Sequence, residues 1–198
     1  MNKLTTVLPN GQYKFQWNEF KDSAEYLGVT SASSILLIDM DGTIRNGKHR
    51  LHLLPTDEQR QDAKEIWHNE NSAYNLFNNE CGQDEAIWPM IDLVQQLCKG
   101  SDVVPIVLTS CTSSAITVSA TLSQLRKWGV PFELLVMRSA DNQNNSVDLK
   151  GGYIRGMIYS GIHPENITVL DDDKGICNMA RDYGCLALQV EDYTRNFL

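Results

Sequence analysis

The apolar run Ile35-Leu36-Leu37-Ile38 stops abruptly at Asp39-Met40-Asp41-Gly42-Thr43. A short Leu/Ile run between Ser/Thr on one side and Gly on the other predicts a buried strand. Side chains alternate along a strand, so Asp39 and Asp41 point the same way at its C-terminal end. Two carboxylates that close repel each other, and a divalent cation or a bound proton relieves the repulsion. Gly42 permits a sharp turn and a close backbone approach to a ligand. The segment therefore reads as a site for magnesium and phosphate. Asp-Gly also fits a solvated hairpin turn, and the later segments decide between the two.

Those segments alternate. Strands are expected at Ser34–Ile38, Val103–Leu108, Phe132–Val136, Ile167–Leu170 and Leu186–Val190. Helices are expected at Asp84–Lys99, Ser113–Trp128, Lys150–Ser160 and from Lys174 to Tyr183. Asp84–Lys99 carries Ile87, Met90, Ile91, Val94 and Leu97 at helical spacing, with Pro89 tolerated in its first turns. Strands alternating with helices predict an α/β fold, a three-layer Rossmann-like parallel sheet with helices on both faces. Residues 44–83 are polar and read as a small helical insert after the first strand. Residues 1–30 read as an N-terminal extension with a short helix from Trp17 to Leu27, and 31–198 as the main domain. Asp141–Ser146 is the most loop-like stretch.

Composition bounds the function. With 198 residues the chain is long enough for a core without staples. No apolar run approaches the roughly 20 residues of a membrane span. Met1–Gln16 has no apolar signal core, so secretion is not expected. Five scattered cysteines without a Cys-x-x-Cys pair suit a reducing compartment. A net charge of −8 argues against a broad surface that tracks a phosphate backbone, so any nucleic-acid substrate is expected to be gripped at an end rather than along its length.

If the strands are parallel, their C-terminal ends share one rim, where ligands bind in such sheets. That rim collects Asp39 and Asp41, Thr109-Ser110 after the second strand, Lys150 at the start of a helix, and Asp171-Asp172-Asp173 after the fourth strand. Each type has a task in phosphoryl transfer. One carboxylate attacks phosphorus and a second protonates the leaving oxygen, then activates water. A hydroxyl and an ammonium hold the phosphoryl oxygens. Taken singly, each piece has a plainer reading. Thr109-Ser110 fits a helix cap, Lys150 a solvated lysine, and the acidic triplet a loop with a cap.

Taken together, ILLIDMDGT, IVLTS, Lys150 and TVLDD resemble the four motifs of the haloacid dehalogenase-like hydrolases. The resemblance implies Asp39 as nucleophile and Asp41 as general acid/base. It implies substrate contacts from Gly42, Thr43, Thr109, Ser110 and Lys150, with Arg138 and Arg50 added from this chain. Magnesium would be held by Asp39, Asp41 (through its carbonyl), Asp171 and Asp172. Asp at the second acidic position implies a phosphatase or phosphotransferase. A narrower likeness joins HRLHLLP, LLVMR and DYGCLALQV to the phosphatase domains of bacteriophage-type polynucleotide kinases and their stand-alone relatives. It implies a nucleotide or a nucleic-acid 3′-phosphate end as substrate, in the cytoplasm of a bacterium or phage-infected host. Relatives carry Arg where this chain has Cys111, Asp173 and the DNQNNS loop; Arg45, Lys48 and Arg50 remain nearby as cations. The other readings are a small-molecule phosphatase and a non-catalytic phosphate-binding or interaction module. His49 and His52 lack an evident third metal partner. Trp67 and Trp88 fit either core or base stacking, and Cys111 reads as a small residue beside the phosphate pocket.

Overall fold

The computed structural model describes residues 3–11, 13–17, 20, 26–56, 72–99 and 102–190. Trp67 and His68 lie outside them. Strand β3 (Ser34–Ile38) lies between β6 (Val103–Thr112) and β8 (Ile167–Asp171), parallel to both. Strands β7 (Leu134–Arg138) and β9 (Leu186–Gln189) extend the parallel set outward. With β1 (Lys3–Val7) and β2 (Tyr13–Trp17) at one edge, the sheet order is β2-β1-β7-β6-β3-β8-β9.

Alternation along β3 builds the layers. Ile35 and Leu37 enter one core with Leu149, Tyr153, Ile154 and Met157 of α4 (Ser146–Tyr159) and with Ile176 and Ala180 of α5 (Lys174–Asp182). Leu36 and Ile38 enter the other with Ile91 and Val94 of α2 (Trp88–Cys98) and Val118, Leu122 and Leu125 of α3 (Ala115–Lys127). A central strand buried on both faces reads as an unbroken apolar run, which is why it stood out in the sequence.

The N-terminal residues differ from expectation. Lys3–Val7 (β1) and Tyr13–Trp17 (β2) form a hairpin, and β1 pairs antiparallel with β7, from Leu4 opposite Arg138 to Val7 opposite Leu135. Trp17 is thus in a strand, not at a helix start. The connection Leu8-Pro9-Asn10-Gly11 carries the signal, since Gly11 has φ 86° and Asn-Gly favours hairpin turns. The sheet is consequently mixed at this edge. Phe20, Tyr26 and Leu27 are helical; most of the remaining expected helix falls outside the described residues.

After β3 the chain forms β4 (Arg45–Asn46), a 3₁₀ segment (Lys48–Leu53), α1 (Ala73–Asn79), a 3₁₀ turn (Glu80–Gln83) and β5 (Glu85–Ala86), which pairs with β4. Helix α2 begins at Trp88, so Asp84 precedes it. Helix α4 begins at Ser146, capped by Asn145, whose side chain accepts from the Asp148 N–H at 2.8 Å. Lys150 therefore lies a full turn inside the helix and does not open it. Among the described residues no helix is long and apolar enough to cross a membrane.

Candidate active site

Three elements bring one acidic cluster together. Asp39 leaves the end of β3, its N–H donating to the Leu170 carbonyl at 3.0 Å. Asp171 closes β8, and Lys150 reaches across from α4. The Lys150 ammonium donates to Asp39 Oδ1 at 2.6 Å and to Asp171 Oδ2 at 2.7 Å, linking residues 111 and 21 apart in sequence. Lys150 is 3% exposed, which excludes a solvated helix lysine. Carboxylate oxygens of Asp39, Asp171 and Asp172 lie within 4.8 Å of one another.

The turn after Asp39 shapes this cluster. The N–H groups of Thr43, Ile44 and Arg45 all converge on the Met40 carbonyl, at 3.3, 3.0 and 2.9 Å. That curl returns the Thr43 hydroxyl to Asp39 Oδ2 at 3.1 Å and Asp172 Oδ1 at 3.4 Å. Gly42 has φ 87°, and a Cβ there would meet the Asp172 carboxylate at 2.6 Å. Both its backbone angle and the space around it exclude a side chain.

Burial pushes the Asp39 carboxyl well above its ordinary range; Lys150 opposes this, while Asp171, Asp172 and Asp41 add to it. Burial alone would draw the Lys150 ammonium down, but Asp171 and Asp39 overcome it and hold the group as a cation.

Asp41 faces elsewhere. Its carboxylate accepts from Arg45 Nε at 3.0 Å and Nη2 at 2.8 Å, and forms a further ion pair with Arg50. Arg50 in turn grips Asp84 through Nε at 2.9 and 3.1 Å and Nη2 at 2.6 Å, and Arg45 Nε lies 3.2 Å from Asp84. Arg45 Nη1 also donates to Thr121 at 3.2 Å and Gln124 at 3.3 Å on α3. The Phe77 ring lies 4.0 Å from the Arg50 guanidinium carbon. Burial works against ionised Asp41, yet Arg45 and Arg50 hold it well below the usual carboxylate range.

At the end of β6, the register with β7 shifts between Thr109 and Thr112, a bulge of the kind found beside sites. The buried Thr109 hydroxyl accepts from the Cys111 N–H at 3.1 Å. The Ser110 hydroxyl is buried with no hydrogen-bond partner among the described residues. Neither caps a helix, because β6 runs on to Thr112 and Ser114 caps α3. Arg138 is 2% exposed, and donates to the Ser110 carbonyl at 2.8 Å, the Asn142 carbonyl at 3.3 Å and the Asn144 carbonyl.

No protein-family model and no curated protein matches this chain. Solved structures do. A chain of the Pnkp1/Rnl/Hen1 complex matches with TM-score 0.56 at 18% identity, over 82% of this chain and 47% of that one. The L-2-haloacid dehalogenase PA0810 matches with 0.52 at 15% identity, over 81% and 85%. The haloacid dehalogenase-like hydrolase SP0104 from Streptococcus pneumoniae matches with 0.50 at 15% identity, also over 81% and 85%. The fold is that of the haloacid dehalogenase-like hydrolases. This chain spans about half the length of the Pnkp1/Rnl/Hen1 chain it matches.

In this haloacid dehalogenase-like fold the donor set suits a hard divalent cation. Three carboxylates converge, and oxygen-only ligands are what magnesium selects. Against them stands one ammonium, leaving a formal surplus of two negative charges, the charge a divalent ion offsets. Asp41 is not in that cluster by its carboxylate. Arg50 and Arg138 are buried and engaged with protein groups, so their expected substrate contacts are not what this geometry presents. Asp173 caps α5, accepting from the Ile176 N–H at 3.0 Å, as the plainer reading of the triplet held. Asp84 was not foreseen as part of the site. An acid just ahead of a Pro-containing helix start looks like an ordinary flank, and only the fold brings it to Arg45 and Arg50. Trp88 is exposed at the start of α2.

Proposed function

We propose that the protein is a magnesium-dependent phosphomonoesterase working through an aspartyl-phosphate. The observation that carries this is the meeting of Asp39, Lys150 and Asp171 from three separate elements, with Asp172 alongside. Asp39 attacks phosphorus through a carboxylate oxygen as the bond to the ester oxygen breaks; a leaving group that needs a proton takes it from Asp41 only after Asp41 has been protonated from solvent. Water then attacks the aspartyl-phosphate, returns a proton to Asp41 and releases phosphate. Lys150, the O–H of Thr109 and the buried Ser110 hydroxyl hold the phosphoryl oxygens, while the backbone N–H groups of Gly42 and Thr43 are spent on the Arg45 and Met40 carbonyls that shape the turn. Asp39, Asp171, Asp172 and the Asp41 carbonyl would hold magnesium, which when bound lets an anionic nucleophile approach an anionic phosphate.

Asp41 sits here as an anion between two arginines, the form needed to activate water. The first half-reaction is therefore fastest with leaving groups that depart without a proton, so aryl phosphates should outrun alkyl phosphates. Turnover of an aryl phosphate with magnesium, repeated with Asp39→Asn, tests the chemistry. A loss of about 10⁴-fold or more is expected; survival of turnover overturns the mechanism.

For substrate, we favour a nucleotide or a nucleic-acid 3′-phosphate end. The likeness to a chain of an RNA repair complex, matching with TM-score 0.54, supports this class, as does a −8 charge that disfavours a long backbone contact. All five cysteines are thiols, which fits a reducing, cytoplasmic setting. Comparing 3′-phosphorylated oligonucleotides, nucleoside monophosphates, sugar phosphates and 2-haloacids decides the class. Equal rates on sugar phosphates and nucleotides would remove the nucleotide half of the proposal.

A further inference from the structure

The hairpin β1–β2 stands outside the parallel strands, yet it reaches the rim where the acidic cluster lies. Strand β1 runs antiparallel to β7, so its first residues lie beside the C-terminal end of β7, with Leu4 opposite Arg138 and Thr5 opposite Met137. Thr5 is 1% exposed. Its hydroxyl accepts from the Ser113 hydroxyl at 2.7 Å and lies 3.2 Å from the Ser139 hydroxyl. Ser113 is the first residue after β6, and Ser139 the first after β7. One side chain of the hairpin therefore joins the two segments that leave the sheet at its rim.

Arg138 lies between those segments and carries the contact inward. Its carbonyl accepts from the Ser113 N–H at 2.8 Å. Its guanidinium donates from Nε to the Ser110 carbonyl at 2.8 Å, and from Nη1 to the carbonyls of Asn142 and Asn144. The Ser139 carbonyl accepts from the Asn142 N–H at 3.0 Å, and the loop runs on to Asn145, the cap of α4. One buried guanidinium thus fixes both the Ser110 peptide and the loop that leads into the Lys150 helix. Those are two of the groups that the proposed reaction uses on phosphate. A group that must meet a phosphoryl oxygen has to be held to about 0.5 Å, and that precision comes from the hydrogen bonds behind it.

We propose that Thr5 and Arg138 are positioning residues for phosphate binding, which makes the N-terminal hairpin a working part of the site. This rests on the phosphomonoesterase reading above. Neither side chain touches substrate. Arg138 holds the peptide that carries the Ser110 hydroxyl. Thr5, through Ser113 and Ser139, holds the backbone on both sides of Arg138. Loss of the Thr5 hydroxyl loosens this end of the rim and leaves Asp39 and Asp41 in place, so binding weakens while the chemical step survives.

The test compares the native full chain with Thr5→Val, which keeps the branched shape without the hydroxyl. Both are measured with magnesium, by aryl phosphate turnover and by calorimetry with inorganic phosphate. KM and the phosphate dissociation constant should each rise about tenfold, with kcat unchanged to within about threefold. Thr5→Ser, which keeps a hydroxyl, should restore both to within about twofold of native. In a Ser110→Ala background, Thr5→Val should add less than about twofold, because it acts through that residue. A full further loss there marks a general structural role and overturns the proposal, as does equal phosphate affinity in the native and Thr5→Val chains. A native chain that binds phosphate without turning over aryl phosphate overturns the phosphatase reading alone, since the calorimetric comparison still decides the role of Thr5. If Thr5→Val fails to fold, Ser113→Ala removes the same bond from its half-buried partner and carries the same expectation.

Discussion

Two charged clusters lie on either side of the Asp39–Asp41 turn, and they are built on opposite plans. In one, Asp39, Asp171 and Asp172 face a single cation, Lys150. In the other, Asp41 and Asp84 face Arg45 and Arg50, two charges against two, with Thr121 and Gln124 taking further guanidinium protons. The second cluster is complete in itself, as buried ion pairs must be if they are not to cost stability. The first carries surplus negative charge: burial pushes Asp39 upward, and the neighbouring acids add to that push against Lys150. The proposed cation and phosphate would be received at this imbalance. The balanced cluster holds Asp41 and the insert in place.

The sharpest way to break this contrast is Lys150→Met. It leaves Asp39 and Asp171 buried without their shared ammonium, and should cost about 3–5 kcal/mol. Added magnesium should recover much of that loss in thermal unfolding. Asp84→Asn should cost about 3 kcal/mol by leaving two buried guanidinium groups against one carboxylate, and magnesium should not restore it. Equal magnesium responses in the two variants would erase the distinction. In the native chain, magnesium at 100 times its dissociation constant should stabilise by about 2.7 kcal/mol. Asp172→Asn should need roughly tenfold more metal for the same shift, equivalent to about 1.4 kcal/mol.

A pH titration sharpens the other side. Thiolate absorbance from Cys81 should rise through about pH 7, and Cys81→Ser should remove that step. The sign follows from the lowered value. The stabilising contribution of this thiolate is full above the ordinary thiol range, and is lost as pH falls through about 7. The smallest effect belongs to Asp92→Asn, an exposed acid on α2 outside both clusters, which should stay within about ±0.5 kcal/mol.

What was legible in the sequence is what local chemistry writes there. An unbroken apolar run marks a strand buried on both faces, and acids at the ends of β3 and β8 mark the rim. Strand–helix alternation sets the layers, because each element must bury its apolar face against another. The Asn10-Gly11 turn was equally local, but Lys3–Val7 and Tyr13–Trp17 lack the apolar run of a central strand and read as an extension.

Tertiary structure alone decided which charges meet. Nothing in the spacing of Arg45, Arg50, Asp84 and Gln124 says that they share one site, since the cost of burying a charge is met by partners far away along the chain. The same holds for Arg138, held by the carbonyls of Ser110, Asn142 and Asn144. Sequence specifies which groups need a partner; only the packed fold supplies the partner.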